Sequence, residues 1–326
     1  MVHVSSFRDA PAPTFSKHGF VVTEIASALL PVFFVLILGY GSGKLHLVDN
    51  NNVDSLNTLV MTIALPISLF TSLAAGKRAA VLSRWQFVLL FFAVMVVVYA
   101  GTYVMQRRLH GATPSESAIQ ALTVAFPNIA AVGLPLVSAV LGAESLLSVA
   151  AALGVGAIFL NPVTILLLER ERGGSMGKVI VNSLTNPVVI GPILGLAWSL
   201  IGIPVPSLMH QTLTAIGSVT AGVALFLTGL VLSAQAIEFS RNAYLSSLLA
   251  TVGRPALGYL VVLALGLTGV PARELVLLLA VPSAFFGVLL SVSYRVRSSV
   301  VGTTLLFSTL ASVVTLSAVI VLLPRL

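Results

Sequence analysis

The residues that could bind a ligand stand in two apolar stretches that prolines interrupt. The first is AFPNIAAVGLPL, in which Pro127, Asn128, Gly133 and Pro135 share one hydrophobic run. Each proline removes a backbone donor and the glycine loosens the turn between them, so the pattern predicts a broken helix. Broken backbone at membrane depth is tolerated where protein or a water-filled cavity satisfies the freed amides and carbonyls. The polar Asn128 at the predicted break is therefore a candidate ligand contact.

The second stretch is AVPSAFFGVLLSVSY, where Pro282, Ser283 and Gly287 form a comparable weak point and Phe286 stands beside them. Two interrupted helices in corresponding halves of a chain point to the central site of a transporter. The N-termini of half-helices present unpaired N–H groups and positive dipole ends, which suit a carboxylate. The alternative is a pair of ordinary proline kinks, but the matching positions favour a binding site.

Arg254 precedes Pro255 inside another apolar run, where an ionisable group is expensive unless it is paired or faces a cavity. The acidic residues, Glu274 among them, stand near the ends of the runs, so no deep carboxylate is an obvious counter-ion. Two interpretations stay open for Arg254. Its charge serves an anionic substrate, or its guanidinium snorkels to an interface or bonds carbonyls that Pro255 frees. Asn161, followed by a proline, predicts a kink that is either a packing feature or a wall of the cavity, and we favour packing.

Other chemistry is poorly supported. The five histidines fall in termini or loops without metal-ligand spacing, and the chain has no cysteine, Walker loop or GxGxxG motif. Paired carboxylates are also missing from the apolar runs. We therefore predict no enzyme activity, no metal site and no cofactor.

The composition indicates which solvent surrounds these residues. Of 326 residues, 57% are hydrophobic and 8% are charged, and the mean hydropathy is +1.07. A water-soluble domain carries roughly 25% charged residues, so most side chains here face lipid or each other. The net charge of +7 comes from Lys and Arg scattered among short loops, which favours membrane topology over nucleic acid binding. The sequence predicts an all-α membrane protein.

A helix needs roughly 20 apolar residues to cross a bilayer. Ten such runs follow a polar segment at residues 1–19, and the first run is too long for a cleaved signal peptide. A charged connector at residues 169–178 separates five runs within residues 20–168 from five within residues 179–326. The runs lie near Phe20–Tyr40, Val53–Leu73, Trp85–Met105, Ser117–Leu141, Leu146–Leu168, Val179–Ile201, Leu208–Leu232, Tyr244–Leu267, Leu275–Val292 and Val300–Leu323.

The two sets of five runs predict an internal repeat. Pro187 follows Pro31 by 156 residues, and Pro282 follows Pro127 by 155. An odd number of helices in each repeat forces the two halves into opposite orientations. Secondary transporters use this arrangement to expose one site alternately to each side of the membrane.

The basic residues of the predicted loops indicate the orientation. The side of the connector carries nine: Lys44, Arg107, Arg108, Arg170, Arg172, Lys178, Arg241, Arg295 and Arg297. The side of the two termini carries seven: Arg8, Lys17, Lys77, Arg78, Arg84, Arg273 and Arg325. This excess favours a cytoplasmic connector and periplasmic termini in the inner membrane of a bacterium.

Several stretches are similar to the auxin efflux carrier family, which includes the plant PIN auxin carriers. FPNIAAVGLPLVSAVLGAES and VPSAFFG resemble its broken fourth and ninth helices, and TNPVVIGPILGLAW resembles the start of its second repeat. GYGSGKLHLVDNNNVDSLNTLVMTIALPISLF, LLLERER and SAFFGVLL are most like its bacterial malonate carriers. The resemblance implies ten helices in two inverted five-helix repeats. Helices 1, 2, 6 and 7 would form a scaffold, and helices 3, 4, 5, 8, 9 and 10 a transport domain with crossing, broken helices 4 and 9 that moves like an elevator.

The resemblance also implies roles for single residues. It places Asn128, with Pro127 and Pro135, at the substrate-contact position of the family, and Pro282 at the matching one. Where PIN carriers have a second crossover proline this chain has Gly287, which disfavours auxin and leaves Arg254 to serve a small dianion.

We therefore predict a secondary transporter of a small organic anion such as malonate or a similar carboxylate. The alternatives are an exporter of an auxin-like monocarboxylate, a gated anion channel, and a membrane receptor or assembly scaffold without transport. Coupling to protons or sodium, and assembly as a homodimer, are left open.

Overall fold

The computed structural model describes residues 17–49, 53–76, 78, 85–142, 145–173, 175–234, 237–296 and 299–326. The polar segment predicted at residues 1–19 lies outside this part of the chain except for its last three residues. Four of the basic residues that bear on orientation also lie outside it: Arg8, Lys77, Arg84 and Arg297.

Helices occupy each of the ten predicted apolar runs, and no β-strand forms among the described residues. We number the helical units by run and divide three of them into halves. The units are α1 (Lys17–Lys44), α2 (Val53–Ala74), α3 (Trp85–Leu109), α4a (Pro114–Ala125), α4b (Ile129–Leu141), α5 (Leu146–Val155, Gly156–Leu160 and Asn161–Glu171), α6a (Met176–Leu184), α6b (Pro187–Ile201), α7 (Ser207–Ala234), α8 (Arg241–Ala264), α9a (Val270–Ala280), α9b (Phe286–Ser293) and α10 (Ser299–Leu322, with a 3₁₀ turn at Leu323–Arg325).

Among the described residues, six units are long and apolar enough to cross a membrane, namely α2, α3, α5, α7, α8 and α10. The pair α6a and α6b, bent by 59°, adds a seventh if it is counted as one span. The chain is thus an all-α protein that passes through the membrane several times. The total of ten spans, which also needs α1, α4 and α9, stays a prediction.

Four prolines inside the helices are accommodated by a local widening of the turn, whereas Pro31 and Pro192 lie in regular α-helix. Four π-helical turns of five residues each end two residues before a proline: Val60–Ala64, Ile129–Gly133, Gly156–Leu160 and Leu249–Gly253. In each, the residue that precedes the proline donates its N–H to the carbonyl five residues back. The extra residue relieves the clash of the proline ring with the preceding turn, so these helices continue past the proline.

Glycines allow the helices of one set, α1, α2, α6b and α7, to pack closely. A Cβ on Gly39 of α1 would overlap the carbonyl oxygen of Phe226 in α7, and a Cβ on Gly195 of α6b would lie 2.6 Å from that of Phe70 in α2. Small residues at such contacts let helix backbones approach in a membrane. Gly195 and Phe226 follow Gly39 and Phe70 by 156 residues, so the two contacts repeat at the offset that the proline pairs suggest.

The other helices pack into a second set. α4a lies against α3, α5 and α9b, while α8 lies against α9a and α10. Side-chain hydrogen bonds join the two sets near the connector. Asn57 Nδ2 of α2 donates to Ser293 Oγ of α9b at 2.8 Å, and Asn182 Nδ2 of α6a donates to Glu169 Oε2 of α5 at 3.0 Å.

Candidate functional site

The fourth unit breaks between Ala125 and Ile129, at the first of the predicted prolines. Pro127 has no N–H to continue the hydrogen-bond ladder, so α4a ends before it. Asn128 then caps the N-terminus of α4b, because its Oδ1 accepts the N–H of Ala131 at 3.3 Å. The Asn128 side chain is buried. The carboxamide thus lies where the positive end of the α4b dipole begins.

The ninth unit breaks between Ala280 and Phe286, around Pro282. Ser283 is buried in this break, and its N–H donates to Ser308 Oγ of α10 at 3.3 Å. Ser283 Oγ itself has no hydrogen-bond partner within the described part of the chain. A buried hydroxyl without a partner carries an energetic cost that a polar ligand would relieve.

The two breaks pair with each other as a short antiparallel bridge between Pro127 and Ser283. Asn128 N–H donates to Pro282 O at 2.7 Å, and Ala284 N–H donates to Phe126 O at 3.0 Å. Pro282 and Ala284 follow Phe126 and Asn128 by 156 residues. Each break therefore supplies one backbone hydrogen-bond donor and one acceptor to the other. The two bonds are related by the same offset of 156 residues as the glycine contacts.

Aromatic rings cover this bridge. Phe126 stacks on Phe286 with ring centroids 4.8 Å apart, and Phe286 stacks on Phe285 at 5.4 Å. Gly156 of α5 packs so closely on Phe126 that a Cβ there would overlap the ring. Phe286 therefore contacts a ring from each of the two breaks.

Arg254 bonds the C-terminal ends of α4a and α9a, the half-helices that precede the two breaks. Its side chain is fully buried, with 0% of its surface exposed. At the end of α4a its NH1 donates to Val124 O at 2.8 Å and to Ala125 O at 3.3 Å. At the end of α9a its Nε donates to Leu279 O at 2.8 Å and its NH2 donates to Val281 O.

These bonds favour one of the two interpretations of Arg254. The guanidinium bonds backbone carbonyls, and these carbonyls belong to the two breaks rather than to the turn before Pro255. A cation at a helix C-terminus stabilises the negative end of the dipole. Arg254 does this for α4a and α9a together, so its place is structural in this state of the molecule.

Three predicted residues lie inside helices rather than in the breaks. Gly133 lies in the π turn of α4b, and Pro135 follows it without interrupting the helix. Gly287 lies inside α9b, where a Cβ would overlap Thr123 Oγ1 of α4a. The expectation that Gly133, Pro135 and Gly287 help break the helices is therefore wrong. Gly287 instead lets α9b approach α4a closely.

Two buried polar side chains were not assigned to the site from the sequence. Glu274 is fully buried in α9a, where its Oε2 accepts from Ser148 Oγ of α5 at 2.7 Å. Its position near the end of a run concealed its burial, since its partner Ser148 is far away in the sequence. Asn161 of α5 is also fully buried, and neither polar atom of its side chain has a hydrogen-bond partner in the described ranges. The π turn brings Asn161 above Gly156, because the Asn161 N–H bonds the Gly156 carbonyl.

No metal site is apparent at either break. Within the ranges that the structure describes, no three histidine or acidic side chains converge as metal ligands would. The arrangement instead offers a carboxamide, a hydroxyl and two helix N-termini, which are groups that bind a polar or anionic ligand by hydrogen bonds.

Comparison with known proteins agrees with these features. The model of a family described as membrane transport protein matches residues 24–177 and 174–320. The uncharacterized transporter YfdV of Escherichia coli is 28% identical over 308 residues, covering 90% of this chain and 96% of that protein. A protein named "Putative malonate transporter" from Rhizobium meliloti is 26% identical, with 92% and 96% covered. Auxin efflux carrier component 5 of Arabidopsis thaliana is 22% identical, with 91% and 96% covered. The chain therefore belongs to the membrane transport protein family, the family of the auxin efflux carriers.

Proposed function

We propose that the protein is a secondary transporter of a small organic anion, malonate or a similar carboxylate, that binds at the paired breaks. The observation that carries the proposal is the bridge between Pro127 and Ser283, which joins two interrupted helices inside the protein. Such interrupted helices form the substrate sites of many secondary transporters.

Electrostatics at the bridge favour an anion over a cation. The N-termini of α4b and α9b begin there and bring positive dipole ends. The opposite, negative ends of α4a and α9a are neutralised by the buried charge of Arg254. The described partners of Arg254 are backbone carbonyls, so no carboxylate among them cancels its positive charge, which adds to the field of the two dipole ends. A carboxylate is the ligand that this field attracts.

The polar groups around the bridge supply hydrogen bonds for such a ligand. Asn128 and Ser283 come from the two breaks, with Pro127 and Pro282 shaping the backbone between them. Asn161 would add a carboxamide from α5 that has no described partner. We propose Phe286 as the apolar wall, and we assign Arg254 a positioning role rather than a contact with the substrate.

Alternating access is supported by the repeated contacts. Two glycine contacts in one set of helices and two backbone bonds in the other recur at an offset of 156 residues. We propose from this offset that ten spans form two inverted five-helix repeats, at residues 20–168 and 179–326. The set of α1, α2, α6 and α7 would be the scaffold, past which the remaining helices move as one body.

The orientation proposed is a cytoplasmic connector at residues 169–178 and periplasmic termini in a bacterial inner membrane. Coupling to protons or sodium, and a homodimer, stay predictions.

The decisive experiment measures malonate uptake into proteoliposomes by wild-type protein and two variants of Asn128. Asn128→Ala removes a hydrogen-bonding group and should raise KM about tenfold, since one such bond contributes roughly 1.5 kcal/mol. Asn128→Asp keeps a good N-cap but adds a negative charge, so uptake should fall by on the order of a hundredfold at equal stability. Gln211→Ala, at an exposed position of α7, is the control.

Counterflow in the same vesicles separates a carrier from a channel. Internal malonate should accelerate uptake of labelled malonate, and uptake should saturate with concentration. Linear uptake without counterflow would mean a gated channel. Normal uptake by Asn128→Asp at every malonate concentration would show that the ligand does not bind at the breaks.

A further inference from the structure

An apolar cavity of about 580 Å³ separates the two sets of helices. One side is formed by α2 and α6b, through residues such as Leu73 and Leu200, and the other by α3 and α5, through residues such as Phe92 and Ala151. All the lining side chains are aliphatic or aromatic, apart from glycines. The cavity lies away from the paired breaks and takes no part in the proposed transport site.

The apolar lining of the cavity disfavours water as an occupant. A buried water needs two to four polar partners, and apolar cavities without them stay dry. The cavity is open to the outside, because Trp85 at its mouth is 61% exposed and Leu89 and Phe159 are also exposed. The surroundings of α3 and α5 at this depth are the acyl chains of the bilayer. A lipid chain is the apolar group that can enter.

Positive charge lies at the same end of the helices. The cavity reaches Gly76, just after the end of α2, and Trp85, the first residue of α3. Arg78 follows Gly76 by two residues and is exposed. The sequence between Gly76 and Trp85 is KRAAVLSR, which holds three basic residues and no acidic one. A tryptophan at the mouth and an exposed arginine shortly after the end of α2 are features that bind a lipid headgroup at the membrane interface.

We propose that this cavity binds one acyl chain of an anionic phospholipid, whose phosphate is held at Arg78. The chain fills the space between α2, α6b, α3 and α5, and the headgroup pairs with the base at the end of α2. This site is independent of the proposed substrate and of the direction of transport.

Native mass spectrometry of the full-length protein in detergent tests the site. The protein is titrated with phosphatidylglycerol and with phosphatidylethanolamine of the same acyl chains. Phosphatidylglycerol should bind more tightly, and Ala151→Trp, which fills the cavity, should weaken both lipids at least about tenfold. Arg78→Gln should weaken phosphatidylglycerol about fivefold, the effect of one base at a membrane surface, and weaken phosphatidylethanolamine less, because the ammonium of that lipid already balances its phosphate.

Matched variants control for general damage. Leu260→Trp adds the same side chain at an exposed position of α8, and Arg108→Gln removes a base from the opposite end of α3. Both should bind lipid like wild type. If Ala151→Trp does not fold, Leu89→Trp at the exposed mouth takes its place. Unchanged lipid binding by the cavity-filling variant, or equal affinity for both lipids with no effect of Arg78→Gln, would overturn the proposal. Because no transport is measured, failure of the malonate experiment leaves this result unaffected.

Discussion

At the scale of single residues, Arg254 shows how a buried charge is stabilised without a carboxylate. An unpaired charge in a membrane interior is expensive. Here the carbonyls at the ends of α4a and α9a provide the acceptors, and those carbonyls would otherwise lack donors. The charge and the two breaks thus depend on each other. Removing the guanidinium would leave carbonyls at both breaks without hydrogen-bond donors.

We expect Arg254→Met to destabilise the protein by at least about 3 kcal/mol, because the carbonyls that it bonds lose their donor together. Arg254→Lys should fall between wild type and Arg254→Met, since one ammonium cannot reproduce the planar fork. Thermal unfolding in detergent measures the effect, with Arg108→Met at an exposed helix end as control. If the Arg254 variants unfold like wild type but lose malonate affinity, Arg254 contacts the substrate and the positioning role is wrong.

At the scale of elements, hydropathy and proline placement predicted most of the helices. Each of the ten runs holds a helix, and the breaks lie at Pro127 and Pro282 as the sequence predicts. Pro135 shows the limit of local patterns. A π turn precedes this proline and the helix continues past it, but the sequence alone does not show whether a helix will widen or break at a proline. Gly287 and Glu274 could not be assigned either. Their surroundings come from α4a and α5, more than 120 residues away in the chain.

The close approach of α9b to α4a gives a prediction at this scale. Gly287→Ala would place a Cβ against Thr123 Oγ1, which already donates to Ile119 O at 2.8 Å. We expect destabilisation of about 1–3 kcal/mol, as for other overpacked contacts. Adding Thr123→Ala should recover part of the loss, because the overlapping hydroxyl is gone. Unfolding temperatures of the two single variants and the double variant measure this coupling.

Gly101→Ala is the matched control for that series. Gly101 lies inside α3 with no atom near its would-be Cβ, so alanine there should be neutral or stabilise by about 0.5–1 kcal/mol. Equal stability of Gly287→Ala and Gly101→Ala would mean that α4a and α9b do not approach each other as the structure has them.

At the scale of the whole molecule, the proposed motion requires two sets of helices that can slide past each other. Within each set the contacts are close, through glycines in one and through the bridge of the breaks in the other. Between the sets, Asn57 bonds Ser293 and Asn182 bonds Glu169, both near the connector. Single hydrogen bonds of this kind contribute roughly 1 kcal/mol each, which a transporter can break in every cycle.

A covalent link across the sets should therefore stop transport. The chain has no cysteine, so the pair Asn57→Cys and Ser293→Cys can be joined by a short thiol-reactive linker without background. We expect malonate uptake to fall more than about tenfold after linking, because the proposed sliding converts one accessible state into the other only if this contact opens. The linked fraction and the uptake are measured on the same vesicles. A cleavable linker should restore uptake when it is cut.

Gln120→Cys with Thr304→Cys is the control pair, since Gln120 Nε2 lies 2.8 Å from Thr304 Oγ1 within the set that moves as one body. Linking the control pair should leave uptake at its unlinked rate. Full uptake by the linked Asn57→Cys and Ser293→Cys protein would require transport without relative movement of the two sets, and the site would then have to open by local changes at the breaks alone.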